Sequence, residues 1–345
     1  MFYSAVRRAL FSLDPETAHR VALAALTGFH AVGLTGWVAS PPLSAPRRVM
    51  GIDFPNPVGL AAGFDKDAAY VDLMSALGFG FVEVGTVTPH PQPGNPPPRL
   101  FRIPEKEALI NRLGFNNVGL DVLTQNVEKA RFKGVLGINI GKNFDTPIGR
   151  ANVDYLACLR RVYPQAAYVA VNISSPNTPN LRELQHAAEP ERLLSALKEA
   201  QQELAGIHGK YVPIAIKIAP DLAPGQVEEI AALLVKHGMD GAIATNTTVS
   251  REGIEGSPVA KEAGGLSGAP LRTRSTAAVR ALCAALEGRL PVIGVGGILS
   301  AQDALEKLDA GASLVQIYTG FIYRGPELVR EIVEAVIRRQ QRERA

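Results

Sequence analysis

Six polar residues stand at or near the ends of short apolar runs: Thr86, Asn139, Asn172, Lys217, Thr245 and Asn246. A single buried Asn or Thr is commonly a satisfied core group. Six at equivalent positions call for a shared polar ligand, because buried amides and ammonium groups without partners are costly. Two glycine turns, Gly296-Gly297 and Tyr318-Thr319-Gly320, follow two further apolar runs. Glycine lets backbone amides approach a phosphate, and a helix starting behind the turn favours its charge. Lys217 admits two chemistries. It could condense with a carbonyl as a Schiff base, or supply positive charge at the N1–O2 edge of a reduced flavin.

Elements that would carry these residues are legible in the same runs. Eight strands are expected near 57–61, 81–86, 135–140, 168–173, 213–218, 241–246, 291–295 and 313–318. Helix-length segments alternate with them, such as 67–77 closed by Gly78 and 224–237 closed by Gly238. This alternation predicts a parallel sheet, and eight units favour closure into an α/β (β/α)8 TIM barrel. A doubly wound open sheet is the competing fold, but no G-x-G-x-x-G turn follows the first strand, and no Walker loop is present. The segments 87–117 and 247–273 are unusually long connections. Both leave the carboxyl ends of strands, where barrel enzymes carry their sites. Within the first, 99–103 and 108–110 suit a small hairpin.

The length of 345 residues fits one barrel of roughly 250 residues plus an extension. We expect residues 1–45 to form an N-terminal amphipathic helical extension and 46–345 the barrel, with the Pro-rich stretch 41–46 between them. Residues 21–38 lack charge, but glycines and His30 make them a poor membrane span, and acidic residues upstream make them a poor secretory signal. Asp14 suits an N-cap and Pro15 a first helical turn. Val21, Ala25, Phe29 and Val32 share one helical face, which either packs on the barrel or meets lipid or a lipophilic substrate. A formal net charge of +3 without a basic, aromatic-interleaved stripe gives no sign of a nucleic-acid partner. The two cysteines, Cys158 and Cys283, match no metal spacing, and no metal is expected.

Longer motifs add a resemblance. Asn172-Ile-Ser-Ser-Pro-Asn-Thr178 resembles the active-site loop of dihydroorotate dehydrogenases. Gly59-Leu-Ala-Ala-Gly-Phe-Asp-Lys66, Gly85-Thr-Val-Thr-Pro89, Asn111-Arg-Leu-Gly-Phe-Asn-Asn117 and Gly137-Ile-Asn-Ile-Gly-Lys142 are similar to the same family. So are Ala244-Thr-Asn-Thr-Thr248, Gly264-Gly-Leu-Ser-Gly268 and Ile293-Gly-Val-Gly-Gly297. The resemblance runs over nearly the whole chain. It implies the quinone-dependent class 2, since Ser175 stands where class 1 enzymes carry cysteine and an N-terminal extension is present.

That resemblance implies an FMN flavoprotein that oxidises dihydroorotate to orotate in pyrimidine biosynthesis, with a quinone as electron acceptor. It implies Ser175 as the catalytic base, relaying a proton through Thr178 and a water, with Phe115 keeping the relay dry. Lys66, Asn111, Phe115, Asn172, Asn177, Asn246 and Thr247 would form the substrate shell. FMN would be held by Ala62, Gly63, Thr86, Asn139, Asn172, Lys217, Thr245, Gly268 and Gly297, with Tyr318 and Thr319 at the phosphate end. His19, Arg102 and Tyr318 match the polar positions of the quinone path. Peripheral contact with the lipid bilayer, at the cytoplasmic face of the bacterial inner membrane, would follow. Two competing readings are a Lys217 Schiff-base lyase, which would be colourless, and a membrane-binding module that does not turn over.

Overall fold

The structure, a computed structural model, describes residues 2–33, 43–185, 189–223 and 225–344. Eight parallel strands close into a barrel in simple chain order. They are β1 (Val58–Leu60), β2 (Phe81–Val87), β3 (Val135–Ile140), β4 (Tyr168–Asn172), β5 (Ile214–Ile218), β6 (Gly241–Ala244), β7 (Val292–Val295) and β8 (Leu314–Ile317). Each falls within a residue or two of its expected position. They are apolar because both faces are covered, the inner by the barrel core and the outer by helices.

Strand periodicity separates two cores. On β2, Val82 and Val84 face outward into the helix layer, whereas Phe81 faces the barrel axis beside Tyr168, Ala215, Ile243, Ile293 and Leu314. A hairpin of Arg47–Val49 and Ile52–Phe54 plugs the amino-terminal end, where the rings of Phe54 and Phe81 meet edge-on at 5.1 Å. The inward positions Glu83, Asn139, Lys217 and Gln316 are polar. They lie further along their strands, below the mouth.

Two helical expectations change. In the first, only Val71–Ser75 is helical. Ala68 has a φ of 56°, which a right-handed helix cannot include, and the Asp65 carboxylate caps the amides of Ala69 and Tyr70 at 2.9 and 2.8 Å. The freed segment instead becomes the turn that presents Lys66. In the second, the helix runs Gln226–Lys236, behind a left-handed Gly225; Pro224 lies outside the described residues.

The expected hairpin forms from Leu100–Ile103 and Ala108–Asn111. The long glycine-rich connection contributes an unforeseen third strand, Gly265–Gly268, antiparallel to Ala108–Asn111. This small sheet draws both long connections over the same end of the barrel.

At the N-terminus, α1 (Phe2–Phe11) and α2 (Pro15–Ala31) form the expected pair. Asp14 Oδ1 accepts from the amides of Glu16 and Thr17 at 3.1 and 3.0 Å, and Pro15 opens α2. Ala18 and Leu23 make the buried contact with the barrel. The face of Val21, Ala25, Phe29 and Val32 does not pack on it: Val21 is 45%, Phe29 41% and Val32 68% exposed. Among the described residues no helix is long and apolar enough to cross a membrane. Pro41 and Pro42 lie outside the described residues, as does 34–38 of the uncharged stretch. Cys158 and Cys283 are both free, and Cys158 is fully buried.

Candidate active site

A cleft of about 1080 Å³, part of it open to solvent, occupies the carboxyl end of the barrel. Its walls include every site residue expected from the sequence except Asn139, Thr178, His19 and Arg102. Ala62, Gly63 and Lys66 come from the turn after β1, and Thr86 from β2. Ser175 and Asn177 lie on the loop after β4, and Thr245, Asn246 and Thr247 follow β6. Asn111 and Phe115 arrive from the hairpin side. Gly268 ends the third strand of the small sheet.

The polar side chains are tied to one another. Asn246 Nδ2 donates to Asn172 Oδ1 at 3.2 Å, and Asn172 Nδ2 donates to Thr86 Oγ1 at 3.1 Å. The Thr86 hydroxyl donates in turn to Asn139 Oδ1 at 2.7 Å. Asn139 is therefore one bond behind the wall, not on it. Asn177 Nδ2 donates to Asn111 Oδ1 at 3.1 Å, joining the loop after β4 to the hairpin.

Two lysines face this cleft. Lys66 Nζ donates to the Gly63 carbonyl at 2.8 Å. Burial lowers its pKa, against the opposing pull of Asp67 and Glu16. Lys217 is buried on β5 and has no hydrogen-bond partner among the described residues. Burial lowers its pKa too, and the charge of Glu83 works the other way. A buried ammonium facing a cleft without a partner suits an anionic or electron-rich ligand.

Ser175 is 5% exposed, and its Oγ accepts from the Asn177 amide at 3.2 Å. Close by in the chain, Thr178 Oγ1 is buried with no partner among the described residues. A buried hydroxyl of this kind calls for an ordered water.

Glycine is required at two wall positions. A Cβ on Gly297 would lie 2.3 Å from Arg272 Cα, and one on Gly268 would lie 2.2 Å from the Glu107 carbonyl oxygen. Both have positive φ. The result is a bare backbone wall beside Gly296, Thr319 and Gly320. Behind Gly297, Ser300 caps the helix Ala301–Asp309 by accepting from Asp303 N at 3.2 Å. The helix after Tyr318 is only Thr319–Arg324.

A model of the dihydroorotate dehydrogenase family matches residues 44–339. The chain belongs to that family. It is a family of flavoprotein oxidoreductases. The chain is 61% identical to a dihydroorotate dehydrogenase (quinone) of Methylobacillus flagellatus, over 96% of this chain and 98% of that one. It is 59% identical to the enzyme of the same name from Azotobacter vinelandii, over 97% and 96%. Among solved structures, the dihydroorotate dehydrogenase of Eimeria tenella in complex with ferulenol is similar at a TM-score of 0.85. It has 36% identity, with 96% of this chain and 92% of that one covered.

The two remaining expected residues, His19 and Arg102, sit where α1 and α2 meet the barrel. His19 Nε2 donates to the Phe64 carbonyl at 3.1 Å, and its ring meets Phe64 edge-on at 4.9 Å. Phe64 meets Tyr318 in the same manner at 5.7 Å, so an aromatic series leads from α2 to the cleft wall. Arg102 donates to the carbonyls of Leu10 and Leu13, and its guanidinium lies 4.6 Å over the Phe11 ring. It fastens the hairpin to the helix pair.

Three further residues were not singled out in the sequence. Gln316 on β8 lines the cleft, and its Oε1 is buried without a partner among the described residues. Glu83 lies fully buried below it. A charged residue inside the apolar run Phe-Val-Glu-Val was the available signal. Arg182 bonds the Ser174 carbonyl at 3.1 Å, Asp221 at 2.9 Å and the Thr247 carbonyl at 2.9 Å. It ties together the loops after β4, β5 and β6. Nothing in the stretch Leu-Arg-Glu-Leu distinguishes it from a surface arginine.

Proposed function

We propose that this chain oxidises dihydroorotate to orotate with FMN as cofactor and a membrane quinone as electron acceptor, in pyrimidine biosynthesis. The observation that carries the reading is the placement of Ser175. It is a buried serine, not a cysteine, on the loop after β4, in one cleft with two lysines and four asparagines.

The residues present fit a flavin mononucleotide. Lys217 offers a cation without a hydrogen-bond partner at the base of the cleft, bare backbone at Gly268 and Gly297 lines its wall, and Gln316 Oε1 lacks a donor. Ala62, Gly63, Thr86, Asn172, Thr245, Tyr318 and Thr319 would complete the site, with Asn139 acting through Thr86. Bound there, FMN supplies the acceptor for the hydride that leaves C6.

The chain's own residues account for the rest. Ser175 takes the C5 proton and cannot keep it, since a serine is a poor base at neutral pH. Thr178 and a water it binds carry the proton onward. Phe115 lines the cleft and limits solvent access. The Lys66 ammonium balances the substrate carboxylate. Asn172 and Asn246 steady charge that develops toward the C4 carbonyl, while Asn111, Asn177 and Thr247 orient the ring.

The helix pair supports a peripheral site at the cytoplasmic face of the bacterial inner membrane. Its exposed face of Val21, Phe29 and Val32 would meet lipid, and the His19–Phe64–Tyr318 series, with Arg102, would border quinone access. An absorbance scan of the purified protein tests the reading. A yellow protein that bleaches with anaerobic dihydroorotate is expected. A colourless protein trapped on Lys217 by borohydride would replace this reading with a Schiff-base lyase.

A further inference from the structure

The hydrogen bonds at the barrel mouth run in a single direction. The Thr247 amide donates to Asn246 Oδ1 at 2.8 Å, and Asn246 Nδ2 to Asn172 Oδ1 at 3.2 Å. Asn172 Nδ2 donates to Thr86 Oγ1 at 3.1 Å, and Thr86 Oγ1 to Asn139 Oδ1 at 2.7 Å. The last link is Asn139 Nδ2 to Glu83 Oε1 at 2.8 Å. The other Glu83 oxygen accepts from the Tyr168 hydroxyl and from Gln316 Nε2, both at 2.7 Å. Glu83 has no exposed surface, so these three donors satisfy its carboxylate in place of water.

An amide or a hydroxyl can face either way along such a chain, but a carboxylate only accepts and a backbone N–H only donates. The two ends therefore set the direction of every link between them. At the outer end, the Thr247 amide points at Asn246 Oδ1, and the Ser174 amide points at Asn172 Oδ1 at 3.3 Å. At the inner end stands Glu83.

The direction decides what the cleft wall offers. Asn172 Oδ1 is occupied by Asn246 Nδ2, Ser174 N and Ser174 Oγ, while Nδ2 spends one hydrogen on Thr86. Its second amide hydrogen remains for a ligand. Thr86 spends its hydrogen on Asn139 and keeps a lone pair. We infer that Glu83 is a positioning residue whose buried carboxylate makes Asn172 a donor and Thr86 an acceptor toward the bound ligands. The inference rests on the proposed function for the identity of those ligands. It extends that reading to a residue that touches neither of them.

Replacing the carboxylate with an amide of the same shape sets donor against donor somewhere along the chain. Moving the carboxylate one link outward restores the direction. The test compares Glu83→Gln, Asn139→Asp and the double variant Glu83→Gln/Asn139→Asp. Orotate affinity is measured on loaded enzyme and FMN affinity on apoprotein. Each single variant should bind orotate about tenfold more weakly, as expected for one spoiled buried hydrogen bond. The double variant should recover most of that loss. Wild-type affinities in Glu83→Gln would overturn the inference. So would an equal loss in the double variant at unchanged melting temperature, because the network would then be packing alone. A wild-type protein that ignores orotate would count against the proposed function instead, and the FMN affinities would still rank the variants.

Discussion

At the barrel mouth, polar side chains are buried and bonded mainly to one another, and the apolar ones point into two cores. In α1 and α2 the arrangement is inverted. Polar side chains at that interface hold backbone: Tyr3 donates to the Ile322 carbonyl at 2.7 Å, Arg7 to the Tyr323 carbonyl at 2.7 Å, and His19 to the Phe64 carbonyl. Large apolar residues are left facing outward. One side-chain ion pair, Arg99 with Glu16 at 3.0 Å, reinforces the contact. A region held through carbonyls can leave without stranding buried charges, since water replaces each bond. A network closed on Glu83 cannot be opened so cheaply. The comparison thus separates a rigid barrel mouth from a detachable pair of helices.

The largest expected effect lies within the mouth. Ser175→Ala should retain FMN, because Ser175 is not among the candidate flavin contacts, yet slow anaerobic flavin reduction by about 10²–10⁴, the usual contribution of a positioned base. Stopped-flow bleaching measures it. Bleaching at the wild-type rate would remove Ser175 from the base role.

The next effect tests the boundary between the regions. Removing residues 1–42 should leave bleaching by dihydroorotate intact and impair reoxidation by a long-chain quinone in vesicles. The cut falls before Leu43 because Ala45 is 1% exposed and its amide bonds the Pro55 carbonyl at 2.9 Å. Arg8 and Arg20 are exposed. Each would contribute roughly 1 kcal/mol at an anionic surface, together about thirtyfold in membrane affinity. Unimpaired reoxidation would mean that the helices merely cover the barrel.

A smaller effect is expected at the seam between the loops. Arg182→Met removes the tie among the loops after β4, β5 and β6, and kcat should fall about tenfold, since hydrogen bonds to a charged group are worth about 1.5–3 kcal/mol. Flavin content should not change, because Arg182 bonds none of the proposed flavin contacts. Parallel loss of flavin would show that the loops support cofactor and substrate together.

The ease of reading these two regions from sequence differed for physical reasons. Barrel strands are buried on both faces, so they stand out as apolar runs, and polar residues such as Thr86, Asn172 and Lys217 stand out against them. Glu83 and Gln316 lie in the same runs, but below the strand ends where a ligand is met, so as single polar residues within apolar runs they resemble satisfied core groups. Arg182 was illegible. Its role comes from a three-loop encounter that no local pattern encodes. The helix at 67–77 failed because Asp65 competes for the first amides of that segment, a tertiary arrangement that serves Lys66. The strand Gly265–Gly268 failed because its partner lies more than a hundred residues upstream.

The smallest effect concerns pH and the docking of α1 and α2. His19 is held at a pKa of about 4, below its usual 6.5, chiefly by burial and next by the charge of Lys66. Its Nε2 must carry a proton toward the Phe64 carbonyl, so the docked ring is neutral with Nδ1 bare. Undocking returns His19 to water and to its usual pKa. The undocked state therefore binds more protons between about pH 6.5 and 4, and acid favours it. The docking contribution is whole above pH 6.5 and is lost as pH falls through 4. At pH 6 the undocked fraction should rise about fourfold over pH 8, for a group titrating near its ordinary value. Hydrogen exchange across residues 2–33 measures this. His19→Asn keeps a donor for the Phe64 carbonyl and removes the titration, so its exchange should lose the pH-dependent component once the intrinsic chemical rate is divided out. If the variant keeps the full acid response, another group at the interface must carry it, and the aromatic series from α2 to Tyr318 would not be proton-sensitive.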